Sequence, residues 1–148
     1  MPTAAKLAAA IAFGIVAVLA AFAYIAAMPE GRPSGGVIEV SGVIGVLCGW
    51  FIMGPFAHRT QSRIDAMGTG LRTSLTIVVL VLVIFASVEM MKRAVKGRYD
   101  TPLEAILSIF ELAIDLSRPL ASPQVVGVLL LGGLLGGAVS HWSGRKWP

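Results

Sequence analysis

Four long stretches of this chain are almost wholly apolar, and a fifth is apolar on one face only. Leu7 to Met28 holds no charged residue. A hydrocarbon layer about 30 Å thick is crossed by roughly 20 helical residues rising about 1.5 Å each, so a span is expected over about 7–28. Lys6 ahead of the run and Ala26 and Ala27 at its end resemble a cleaved leader. Secretory apolar regions run about 7–15 residues, however, and this one is longer, which predicts a retained span. Pro29 to Gly36 is a cluster of helix breakers and reads as a loop. The second span is expected over 37–57, with Glu39 near its start, where a helix N-terminus favours negative charge, and Pro55 marking its exit. His58 to Arg72 is polar and reads as a connecting loop, with at most a short helical turn. The third span is expected over 73–91. Its β-branched centre, Ile77 to Ile84, would suit a strand in water, but a lone strand in lipid leaves its backbone groups unsatisfied. Glu89 lies four residues before Arg93, a spacing that pairs them on a helix. The fourth span is expected over 124–141.

Between the third and fourth spans, 101–118 has a different pattern. Thr101, Pro102 and Glu104 have the residue types of a capped helix start. Glu104, Ser108, Glu111, Asp115 and Arg118 then fall on one stripe about 80° wide. Leu103, Ile106, Ile109, Phe110, Ala113 and Leu116 cover the remainder. As a span this segment would carry three carboxylates through hydrocarbon, each Asp costing about 2.5–3.5 kcal/mol at the centre. An amphipathic helix at the interface, or packed against the other helices, is the expectation. The predicted fold is therefore an all-α integral membrane protein: a single membrane domain, 1–148, of four transmembrane helices plus one amphipathic interfacial helix.

Composition agrees with that pattern. Of 148 residues, 56% are hydrophobic and 14% charged, and the mean hydropathy is +0.83. Soluble domains carry about 25% charged residues, which argues against a soluble enzyme, and disorder would need low hydrophobicity. The formal charge of +4 comes from Arg and Lys beside apolar runs. That placement fits headgroup contact better than nucleic acid, and membrane lipids are the expected partners. Lys92, Arg93, Lys96 and Arg98, with Trp142, Trp147, Arg145 and Lys146, are the expected interface anchors. Basic residues divide six and six between the two sides of a four-span chain, so the positive-inside rule leaves orientation open.

Small residues recur every four positions at Ser41, Gly45 and Gly49, and in the pairs Gly132/Gly136 and Gly133/Gly137. Such stripes let helix backbones approach closely, either within this chain or against another subunit. The single Cys48 excludes an intrachain disulfide. Within an apolar span a thiol is usually inert, though redox or metalloid binding is its alternative reading. The carboxylates Glu104, Glu111 and Asp115 are either a wet helix face or, facing a bundle interior, a path for cations or protons. No nucleophile–base pair and no ligand cluster is legible, so no enzyme, metal or cofactor is expected.

One resemblance runs through most of the chain. Met1-Pro2-Thr3-Ala4-Ala5-Lys6-Leu7, the stretch Gly45-Val46-Leu47-Cys48-Gly49-Trp50 with Met53-Gly54-Pro55, Glu89-Met90 leading to Arg98-Tyr99-Asp100 with Pro102 and Glu104-Ala105, and the closing Gly132-Gly133 with Trp142 resemble the TrgA family of tellurite-resistance proteins. The resemblance implies a small multi-pass protein of a bacterial inner membrane, tied to tolerance of the tellurite oxyanion, chiefly in photosynthetic and related alphaproteobacteria. It implies no catalytic residues. Beside it stands a second expectation: an accessory subunit of a larger respiratory or photosynthetic complex, docking through the glycine-lined faces. A homo-oligomeric transporter using Glu89 or the acidic stripe is the third.

Overall fold

Apolar side chains can leave water only on a scaffold that pairs every backbone N–H and C=O, and each apolar run here becomes a helix. The computed structural model describes residues 4–28, 30, 35–57, 62–98 and 100–146. Helix α1 covers Ala4–Ala27 and α2 covers Val37–Cys48, the latter continuing through a π-helical turn at Gly49–Met53 into a short helix, α3, at Gly54–Ala57. Helix α4 runs from Arg63 to Val95 and α5 from Pro102 to Ser117; a 3₁₀ turn at Arg118–Ala121 then leads into α6, Pro123–Lys146. There is no strand among the described residues. Four helical segments are long and apolar enough to cross a membrane: 6–27, 37–56, 63–95 and 123–146.

The third of these departs from the sequence reading. The part of the expected loop that is described, from residue 63 to 72, is the start of α4. Ser62 caps it, its hydroxyl accepting from the Ile64 N–H at 3.3 Å, and Asp65 sits in the favourable first turn. The hydroxyls of Thr69, Thr73 and Thr76 each donate back to the carbonyl four residues earlier, at 2.9 Å. The polar residues there belong to a helix, not a loop. At 33 residues, α4 is about 50 Å long, well beyond one hydrocarbon layer. The π turn in the second segment has a local cause. Pro55 has no N–H and its ring crowds the carbonyl four residues back, and the helix widens just before it. The chain therefore continues through Pro55 as helix to Ala57.

Helix α1 packs against α2 and α6, α6 packs against α4, and α2 touches α4 to close the ring. Ala9, Phe13 and Ala17 meet Ile44, Cys48, Met53, Ala66 and Ile77 in one core; Ala21, Tyr24, Val37 and Val125 form a second. A Schellman turn ends α4: the Gly97 N–H donates to the Ala94 carbonyl at 2.9 Å and the Arg98 N–H to the Arg93 carbonyl at 3.3 Å. Gly97 takes φ +67° there, a left-handed conformation that suits glycine. Thr101 then caps α5, its Oγ1 accepting from the Glu104 N–H at 3.3 Å. Glu104 reaches back to the Asp100 N–H at 3.2 Å, one residue beyond the usual capping-box partner. Helix α5 returns along the C-terminal half of α4, and the Tyr24 hydroxyl of α1 holds its far end by donating to the Leu116 carbonyl at 2.9 Å.

Candidate functional site

The glycines decide which helices touch. A Cβ on Gly45 would lie 2.6 Å from the Phe13 carbonyl oxygen, and one on Gly49 2.5 Å from that of Ala9. These two glycines belong to the α1–α2 seam, while Ser41 of the same stripe is buried and lines the cleft described below. The two pairs on α6 serve different neighbours. Gly132 and Gly136 fit against Val16 and the Phe13 ring of α1, whereas Gly133 and Gly137 fit against Ser74, Gly70 and Ala66 of α4. Each of these six glycines thus meets a helix of the same chain.

Between α2 and α4 a cleft of about 260 Å³ opens. Its floor is Ala17, Ala20 and Ala21 of α1; Ile77, Val81 and Phe85 of α4 form one wall. Alanines at this floor give low relief, so space remains where larger residues would fill it. At the mouth stand Glu89, Lys92 and Arg93 of α4 and Asp115 of α5. Glu89 Oε1 accepts from Arg93 Nε at 3.4 Å, and Asp115 lies 3.6 Å from Arg118. Lys92 makes no ion pair among the described residues. The arrangement is an apolar slot with charges of both signs at its opening. It suits an amphiphile with one alkyl tail, and its volume falls just below the usual range of about 300–1,000 Å³ for ligand pockets.

The other sequence-selected residues are dispersed. Lys96 and Arg98 are exposed in the turn after α4. Of the α5 stripe, Glu104, Glu111, Asp115 and Arg118 are exposed, while Ser108 is buried and donates to the Ala105 carbonyl at 2.7 Å. Only Asp115 of those carboxylates reaches the cleft. Helix α5 meets the bundle through Ser108 and Leu112 and turns Leu103, Ile106, Leu107, Phe110 and Ile114 outward. Cys48 is buried in the first core, and no group of three potential metal ligands occurs among the described residues. Trp142 is exposed with Lys146 Nζ 4.9 Å from its ring centre; Trp147 lies outside the described residues. Tyr24 and the alanine floor were not singled out from sequence, where Ala17-x-x-Ala20-Ala21 is indistinguishable from any apolar helix face.

No family model, curated protein or solved structure matches this chain.

Proposed function

We propose that this chain is a non-enzymatic, multi-pass protein of a bacterial inner membrane, of the TrgA tellurite-resistance type, acting on membrane integrity or oxyanion entry. The observation that carries the reading is the outward apolar stripe of α1. Leu7, Ile11, Ile15, Leu19 and Phe22 are each more than half exposed, while Ala9, Ala10, Phe13, Val16, Ala17, Ala21 and Tyr24 are buried. Soluble proteins rarely leave contiguous apolar patches of this kind open to water. Lipid tails would cover such a stripe. The alanine-floored cleft gives the reading a site: a lipid tail lies between α2 and α4 while its headgroup meets Lys92 and the paired charges.

Deleting the gene tests the reading directly, with growth on tellurite as the readout. Tolerance is expected to fall and to return with the wild-type gene. A cleft-filling Ala21→Phe variant that reaches the membrane at normal levels is expected to restore it poorly. Unchanged tolerance after deletion overturns the tellurite assignment.

The accessory-subunit reading keeps one supporting observation, the outward apolar face of α5 continuing onto Val88, Met91 and Val95 of α4. A docked subunit would meet that face, not the glycines. Extraction in a gentle detergent distinguishes the readings: a reproducible partner chain supports the subunit, and recovery of this chain alone opposes it.

A further inference from the structure

A second cavity, of about 530 Å³, opens where the N-terminal end of α4 meets the C-terminal end of α6. It is lined by Arg63 of α4 and by Ala138, His141, Trp142, Arg145 and Lys146 of α6. The α6 residues recur at steps of three and one, so they share a single helix face. Three permanent cations line the space, and among the described residues no carboxylate does. Arg63 and Arg145 make no ion pair among the described residues. Lys146 is held in place by lying over the Trp142 ring.

Two features make this more than a cationic surface. His141 is only 3% exposed, yet it borders the cavity. An imidazole so placed can donate an N–H to a group in that space. Arg63, moreover, occupies the first turn of α4, where the helix dipole already presents positive potential and a cation is unfavourable. An anion in the cavity would relieve that cost and accept from the guanidiniums, the ammonium and the imidazole N–H together.

We infer that Arg63, His141, Arg145 and Lys146 form a binding site for a phosphate-type oxyanion. The site stands at the opposite end of the bundle from the cleft mouth and does not depend on the tellurite reading. The same donors would hold the phosphate of an anionic lipid headgroup or a free inorganic oxyanion, and the test separates the two.

The full chain is compared with its R63Q, R145Q and R63Q/R145Q variants. In nanodiscs, retention of phosphatidylglycerol over phosphatidylcholine is read by native mass spectrometry. In detergent, inorganic phosphate binding is read by calorimetry. Removing each cation is expected to weaken the bound species roughly fivefold. Lipid retention that falls in the variants identifies a headgroup site; phosphate binding that falls identifies a free-anion site. The H141F variant keeps the volume and removes the donor, and its affinity is expected to drop while the cations remain. No binding of either species by the wild-type chain, or binding unchanged in R63Q/R145Q with the fold intact by circular dichroism, overturns the inference.

Discussion

Alanine at a glycine should have opposite effects at two classes of position in this bundle. A Cβ at Gly49 would lie 2.5 Å from the Ala9 carbonyl oxygen and 2.9 Å from the Ala10 Cα. Relaxed C···O contacts between packed helices run about 3.3–3.6 Å, so α1 and the π turn must part by roughly 0.8 Å to admit it. A gap of about 0.5–1 Å forfeits a quarter to a half of each contact along the seam, and overpacking of this kind costs about 1–3 kcal/mol. The better helix propensity of alanine returns about 1 kcal/mol. The net loss for Gly49→Ala is then about 0–2 kcal/mol. Gly68 and Gly127 have nothing within 4 Å of the same added atom. Alanine there keeps the propensity gain of about 1 kcal/mol and meets no obstacle. Unfolding of the full-length chain in mild detergent, titrated with a denaturing surfactant, ranks the variants. If Gly49→Ala unfolds at or above the midpoint of Gly127→Ala, the close α1–α2 seam is wrong. Gly45→Ala and Gly49→Ala combined should cost less than their sum, because one parting of the helices relieves both.

Three further outcomes follow from particular contacts. Ser74 Oγ is buried without a hydrogen-bond partner, so Ser74→Ala should be neutral or stabilising by up to about 1 kcal/mol, checked in the same titration. The Glu89–Arg93 pair is more than a third exposed on each side, so Glu89→Gln should cost no more than about 0.5 kcal/mol; a loss above about 2 kcal/mol would mean the pair is shut away from water. Thr101→Ala removes the cap of α5 and should cost about 1 kcal/mol, visible as faster amide exchange in residues 103–105 with α1 and α6 unchanged.

What the sequence makes legible is the set of runs that must leave water, because uninterrupted apolar length is a one-dimensional property. Leu7–Met28 and the run around Val81 announce themselves in that way. The start of α4 does not, because Arg63, Asp65 and Arg72 look like loop polarity when counted, although Ala66, Gly70, Thr73 and Ser74 carry the helical spacing of a packing face. The partners of the glycines were equally hidden. Gly132/Gly136 and Gly133/Gly137 are interleaved repeats in sequence, and only three dimensions assign one pair to α1 and the other to α4. The cleft was invisible for a related reason: a void is defined by what several helices together fail to fill. His141 has no acidic or thiol companion nearby in sequence, and Arg63, which shares its cavity, lies far from it along the chain.

Helix α5 shows how these levels combine. An isolated amphipathic helix has two faces, one apolar and one polar; α5 has three. Ser108 and Leu112 face the bundle. Glu104, Glu111, Asp115 and Arg118 form an exposed polar edge, and Leu103, Ile106, Leu107, Phe110 and Ile114 form an exposed apolar one. Each takes about a third of the circumference at 100° per residue. At 16 residues the helix is about 24 Å long, short of the roughly 30 Å needed to cross hydrocarbon. On the membrane reading, only one level satisfies all three faces: the boundary at which acyl chains meet headgroups, with the polar edge toward water and the apolar edge toward lipid. The Tyr24–Leu116 hydrogen bond fixes one end of α5 at that level, and the capped turn at Thr101 fixes the other. The cleft mouth lies against the same helix, through Leu112, Asp115 and Leu116, so on the proposed reading a lipid tail in the cleft would lie beside α5 with its headgroup near Lys92.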